Sequence, residues 1–524
     1  MLSHAEVRTA VTSLLVLFLG YYGSALQAAP IDDVLNNLQP GEWYAVPNSR
    51  LETTFPTPIP EGNSGPESVM DAWSGGAYDT KRDRLIVWGG GHADYSGNEI
   101  YVFDVNSLQW SRLTEPSSNV GGNEATGLYP DGKPRSAHTN NYIQYAESVD
   151  RFISLGLGFT YPQSYVSPYV HAFNFDTLTW DSTLQPVPSD AGSIPDSITA
   201  YDPKTGKIWR QGGRNGDFRS YDPVTDTWSR GYGGWTYIEF YNTAAIDPNR
   251  RLMVSTGPDN SVLTWNLDSP GNPVAVNTSG DKSIESAQAP GFVFDPVSDK
   301  FVAWNGGASV YVLDPDTWMW TKISPAPTNK IVPSSPNTRG TFGRFRYIPS
   351  KNAFILVNRT NENVYIYKLT NGAGQPRPVI SMNASPEQVD LGGSSNLSWL
   401  TTNATACAAS GAWTGVKAVS TNNQPVVETV GPINDTSTYV LECSGPGGSS
   451  ISSIMVTVNS SSGGNPPPNT PPPSDNPPAD DSGNTSVQVV GSDVGGVGSV
   501  DFFYLLAILG AWFSQLHGSR RKSP

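Results

Sequence analysis

The sequence predicts an all-β fold dominated by one repeated four-stranded unit, and three observations carry that expectation. The composition is rich in turn formers and aromatics, with 52 glycines, 44 prolines, 15 tryptophans and 23 tyrosines among 524 residues and only 15% charged residues. Long heptads and amphipathic helical stretches are not evident, so strands and tight turns are favoured over helices. In four places an aromatic residue or Leu precedes an Asp or Asn, and a Trp follows six residues after that polar residue: Asp104 and Trp110, Asn174 and Trp180, Asp222 and Trp228, Asp314 and Trp320. Such a pattern reads as strand, tight turn and second strand. Upstream of each unit lie two more apolar runs around a polar turn, as in "GAYDTKRDRLIVWGG", "TAYDPKTGKIWRQGG", "TAAIDPNRRLMVSTG" and "GFVFDPVSDKFVAWNGG".

Four short antiparallel strands per unit make a β-propeller blade. The pattern recurs from about residue 71 to 369, with innermost strands beginning near 74, 140, 197, 242, 291 and 342, which gives six blades. A seventh hidden in 114–137 or 268–288 is the alternative. The sixth unit, "RFRYIPSKNAFILVNRTNENVYIYKL", stops after three strands without a tryptophan, whereas the early segment "GEWYAVPNS" offers the missing strand with Trp43 in its place. The N-terminal strand is therefore expected to complete the last blade and remove an exposed edge, which places the propeller at 30–372.

The flanking segments follow from composition. Residues 1–29 read as a signal peptide, with Arg8 ahead of the apolar run "AVTSLLVLFLG" and small residues near Ala28. From 376 to 458, alternating strands, a tryptophan before the first cysteine and a closing "VTV" predict a small Ig-like β-sandwich. Cys407 and Cys443 are the only cysteines, and in an exported chain they are expected to form a disulfide. Residues 459–490, with "NPPPNTPPPSDNPPADD", are a Pro-rich extended linker. In the tail, 491–524, a glycine-rich stretch leads into a short apolar run and then Arg520, Arg521 and Lys522. That run is short for a membrane span, and the tail resembles the Gly-Gly C-terminal sorting signals of Gram-negative bacteria. A secreted or surface-attached monomer is expected, touching the membrane only through the tail before processing. The formal net charge of -15 argues against a nucleic-acid partner.

In a propeller, the loops between strands two and three and those leading into each innermost strand meet on one face around the channel. The first set offers His92, Asp94 and Tyr95, then Tyr161 and Tyr165, then Arg214, Asn215 and Asp217, then Asp259 and Arg359; the second offers Asp71, His138, Asp196, Glu239, Tyr241 and Arg339. His92 and His138 are the sharpest pair, because an imidazole titrating near neutrality can act as acid or base. Each alone has a bland reading, with His92 bonded to its glycine-rich turn and Arg214 paired with a neighbouring carboxylate.

The glycine pairs Gly89-Gly90, Gly212-Gly213 and Gly306-Gly307, with the repeated tryptophans, resemble kelch-type propellers of the galactose-oxidase-like group over roughly 330 residues. Copper chemistry of that group is disfavoured, because its cofactor needs a cysteine cross-linked to tyrosine and no cysteine falls in 30–372. The layout is similar to ulvan lyases, secreted kelch-like enzymes that use His, Tyr and Arg. That resemblance implies β-elimination on a uronic-acid polysaccharide, with His138 as base, His92 beside it, Tyr241 or Tyr161 as acid, and Arg214 as carboxylate clamp. Arg339, Arg359, Asn215 and Tyr165 would bind substrate. The chain departs from the family pattern at Ile198, where a tyrosine is expected, and at Phe159 or Thr160, where a second histidine is expected. No cofactor is required for this chemistry, and a structural calcium or zinc is left open. A non-catalytic glycan- or protein-binding propeller and a glycoside hydrolase using Asp71, Asp196, Glu239 or Asp259 are the alternatives.

Overall fold

The computed structural model describes residues 30–459 apart from 122–124, 164, 182, 214, 215, 237, 239, 260 and 446. The signal peptide, the tail and nearly all of the linker expected above lie outside the described residues. Within them the chain is all-β, in mostly antiparallel sheets with a few short helical turns.

Six sheets follow one another along residues 42–368. Their first strands are Gly76–Asp79, Ile143–Ala146, Ser193–Asp202, Thr243–Asp247, Gly291–Asp295 and Phe345–Ile348, close to the six positions read from the repeats. In each sheet the second and third strands add in sequence order by antiparallel pairing. The sixth sheet takes its outer strand from the other end of the domain: Glu42–Ala45 pairs with Tyr365–Lys368, Trp43 opposite Tyr367. This is the strand expected of "GEWYAVPNS".

The repeat works through side-chain turns. In each of the four Trp-bearing units the polar residue accepts a backbone N–H two or three residues on: Asp104 from Ser107 at 2.7 Å, Asn174 from Asp176 at 2.9 Å, Asp222 from Val224 at 3.0 Å and Asp314 from Asp316 at 2.9 Å. Asp and Asn favour turns for this reason. The tryptophans then pair across the hairpin with Phe103, Phe173, Tyr221 and Leu313. Only Trp320 is fully buried; Trp110, Trp180 and Trp228 are partly exposed, because they stand on outermost strands.

First strands of consecutive sheets touch in order, and the sixth touches the first. The turns between first and second strands are tied sideways by charge: Arg82 to Asp150 at 2.7 Å, Arg251 to Asp202 at 2.8 Å and Arg250 to Asp299 at 2.6 Å, each from one sheet to a neighbour. Between the sheets lie apolar clusters, such as Trp88, Tyr142, Phe152 and Phe173 between the first and second.

Residues 379–458 form a three-stranded and a five-stranded sheet that share one core, with Leu397, Trp399 and Val430 facing Cys407, Leu441 and Val456. Cys407 and Cys443 are disulfide-bonded, as expected, and stand directly opposite each other on adjacent strands of the five-stranded sheet. The bridge therefore ties neighbours within a sheet. It closes a separation of 36 residues. Replacing both cysteines with alanine should lower the stability of this part by about 2–4 kcal/mol through unfolded-state entropy; a calorimetric transition that stays in place would refute it.

Candidate functional site

The loop after the second strand of the first sheet is built for sharp reversal. Gly90 and Gly91 both have left-handed backbone, at φ 125° and 73°, and the Gly91 N–H donates to Ser136 Oγ at 2.7 Å. A Cβ on Gly91 would lie 2.5 Å from the Ala137 Cα, so only glycine lets the two chain segments approach this closely. His92 follows at φ 48° with its N–H donated to the Phe159 carbonyl at 2.7 Å. The backbone is thus pinned, and the imidazole is left exposed. Gly91→Ala should push the loop off Ala137 and destabilise the protein by about 1 kcal/mol or more, which a denaturation midpoint would register.

His138 enters from the segment before the second sheet, where it bridges to Gly158 through its backbone. Its ring lies 4.8 Å from Trp73, 5.4 Å from Phe159 and 6.0 Å from His92, centre to centre. Only 4% of the residue is exposed. Nε2 is 3.6 Å from the Asp94 carboxylate, and neither ring nitrogen has a hydrogen-bond partner among the described residues. Burial pushes the His138 imidazole down; Asp94 opposes this, while His92 and Arg339 add to it. The His138 imidazole, with Ser64 and Arg339, holds the Asp94 carboxyl below its ordinary range against its own burial. At neutral pH the pair is a neutral imidazole beside a carboxylate, the state in which histidine accepts a proton.

Trp73 joins the remaining parts. Its Nε1–H donates to the Tyr241 hydroxyl at 3.0 Å, and the Arg339 guanidinium stacks 4.4 Å above its ring, a cation–π contact that orients the charge. Arg339 reaches the Asp71 carbonyl at 3.4 Å and pairs with no carboxylate among the described residues. Asp71 is itself held by the Asn337 amide. Phe240 packs on both Trp73 and Tyr241.

Of the residues expected from sequence, His92, His138, Tyr241 and Arg339 come together, with Asp94 and Asp71. Tyr161 instead donates to Glu61 at 3.0 Å, Tyr165 to Gln163 at 3.3 Å, and Arg359 lies 3.4 Å from Glu362. Arg214, Asn215 and Glu239 lie outside the described residues. Trp73, Phe240 and Asn337 were not singled out by sequence reasoning; the Trp two residues after Asp71, in "DAWSGG", was the available signal. Among the described residues no group of three His, Cys, Asp or Glu is gathered to hold a metal, and no helix is long and apolar enough to cross a membrane. A scan of protein-family models finds no match to this chain, and a search of curated proteins finds none either.

Proposed function

We propose that the six sheets are the blades of a kelch-like β-propeller, that 376–458 is an Ig-like sandwich, and that the protein is a secreted polysaccharide lyase acting on a uronic-acid polymer. The cyclic contact of the first strands supports the propeller reading. The observation that carries the activity is His138: a buried, neutral imidazole whose Nε2 lies 3.6 Å from Asp94 and whose ring nitrogens form no hydrogen bond among the described residues. Buried polar atoms are nearly always satisfied, and an imidazole left without a hydrogen bond in a cluster of chemically able side chains is a candidate for proton transfer.

Eliminative cleavage needs a neutralised carboxylate, a base for the C5 proton and an acid for the leaving O4. In this reading Arg339 meets the uronate carboxylate, its guanidinium held in place by Trp73. The carboxylate's charge no longer opposes carbanion formation at C5. His138 accepts the C5 proton. Tyr241, its oxygen accepting from Trp73 Nε1, keeps its own O–H free to donate to the departing O4. His92, exposed at the rim, is the imidazole that the polymer meets first.

The test is a panel of anionic and neutral polysaccharides read both for ultraviolet absorbance of an unsaturated uronate and for reducing ends. Absorbance with a uronate polymer supports elimination. Reducing ends without absorbance would replace it with hydrolysis, and saturable retention without product would replace it with glycan binding.

A further inference from the structure

A cavity of about 650 Å³ is ringed by residues from all six sheets and bordered by residues 405–406 and 444–445 of the C-terminal sheets. It shares no residue with the histidine cluster. Its walls include the rings of Tyr78, Tyr145, Tyr201, Phe294 and Tyr347. Most of the hydroxyls are committed elsewhere: Tyr78 donates to Asp83 at 3.3 Å, Tyr145 to Asp150 at 2.9 Å and Tyr347 to Asn352 at 3.0 Å. What these side chains offer the cavity is therefore apolar ring surface.

Among the first-strand positions, one side chain breaks that pattern. The first strands pair with their neighbours in one register, and two residues before the end of each stand Ala77, Gln144, Ala200, Ala245, Val293 and Arg346. Five positions carry small, apolar or neutral side chains, and the sixth carries a guanidinium. Arg346 donates through Nε to the Gly343 carbonyl at 2.9 Å and through Nη2 to the Gly76 carbonyl at 2.7 Å. No hydrogen bond from Nη1 is formed among the described residues, and Nη1 is not among the buried orphan atoms, so it opens on the cavity that Arg346 lines. Glu147 also lines the cavity, but no carboxylate pairs with Arg346 among the described residues, and burial alone pulls the guanidinium down to about 10. By contrast, the buried Arg344 uses Nε, Nη1 and Nη2 on backbone carbonyls.

A half-buried guanidinium without a counter-ion gains from pairing with an anion, and a cavity of this volume is in the range that takes a small organic ligand rather than a bare ion. We propose that this cavity binds a small organic monocarboxylate with an aromatic or aliphatic body, its carboxylate on Arg346 Nη1 and its body against the tyrosine and phenylalanine rings. The charge selects the anion, and the rings select the apolar body over a free inorganic ion.

The probe is 2-naphthoate, titrated calorimetrically into the full chain beside its uncharged counterpart 2-naphthalenemethanol. The wild-type protein is expected to bind the carboxylate at a single site about tenfold or more tightly than the alcohol, the size of one charge-assisted contact. Arg346→Gln should erase that preference. Ala245→Leu, which fills the cavity and leaves Arg346 in place, should weaken both ligands and serves if the arginine variant does not fold. Equal affinity for the two probes, no saturable binding of either, or unchanged naphthoate affinity in either variant would overturn the proposal.

Discussion

Under the proposed elimination, His138→Ala should lower the rate of unsaturated-product formation by about 10²–10⁴-fold, the contribution of a positioned general base, while leaving polymer retention close to wild type. The imidazole is neutral because burial disfavours its charged form, so the loss falls on the chemical step rather than on binding. The same placement fixes the pH profile. In the wild type kcat/KM should rise with pH through the His138 pKa, and that limb should lie below about 6.5, the value for a free imidazole. In Asp94→Asn the carboxylate that favours the protonated imidazole is gone, and the limb should move further to acid. Product formation at an undiminished rate in His138→Ala would remove this residue from the chemistry and leave His92 as the remaining imidazole in the cluster.

The second large effect is on stability. Asp202 is fully buried, and both of its oxygens accept from Arg251 of the next sheet at 2.8 Å. Arg251→Ala strands a buried carboxylate and should cost about 3–5 kcal/mol, measurable as a fall in the denaturation midpoint. Burial by itself would raise the Asp202 carboxyl, but Arg251 and Thr205 outweigh it and hold it below the ordinary range. A carboxyl lowered on folding stabilises the protein fully above its unfolded pKa, about 3.9, and the contribution disappears as pH falls through the folded value. Wild type should therefore lose stability below about pH 4, and the variant should lose less over that window. Equal acid sensitivity in both would mean that this pair contributes nothing to the linkage.

Much of the strand framework was legible because it is written locally. An Asp or Asn that accepts a nearby backbone N–H leaves the same mark whether or not the rest of the chain is present, and four units carry that mark. The N-terminal strand was legible too, since the sixth unit lacked a partner that "GEWYAVPNS" could supply. The site was legible only in part. His92 and His138 stood out because histidines are few, but Tyr161 has the right residue type and turns to Glu61. Residue type alone does not say which way a loop side chain points.

Sequence by itself determined the β repeat, its turns, the N-terminal closing strand and the cysteine pairing, because each depends on neighbours along the chain or on there being a single choice. Tertiary structure alone decided that Trp73 would join Tyr241 and Arg339, and that Arg346 would stand unpaired where five other sheets carry neutral side chains. The Trp73 contacts join residues 168 and more positions apart. Their energies come from burial and stacking, which take effect only once the sheets have come together and excluded water.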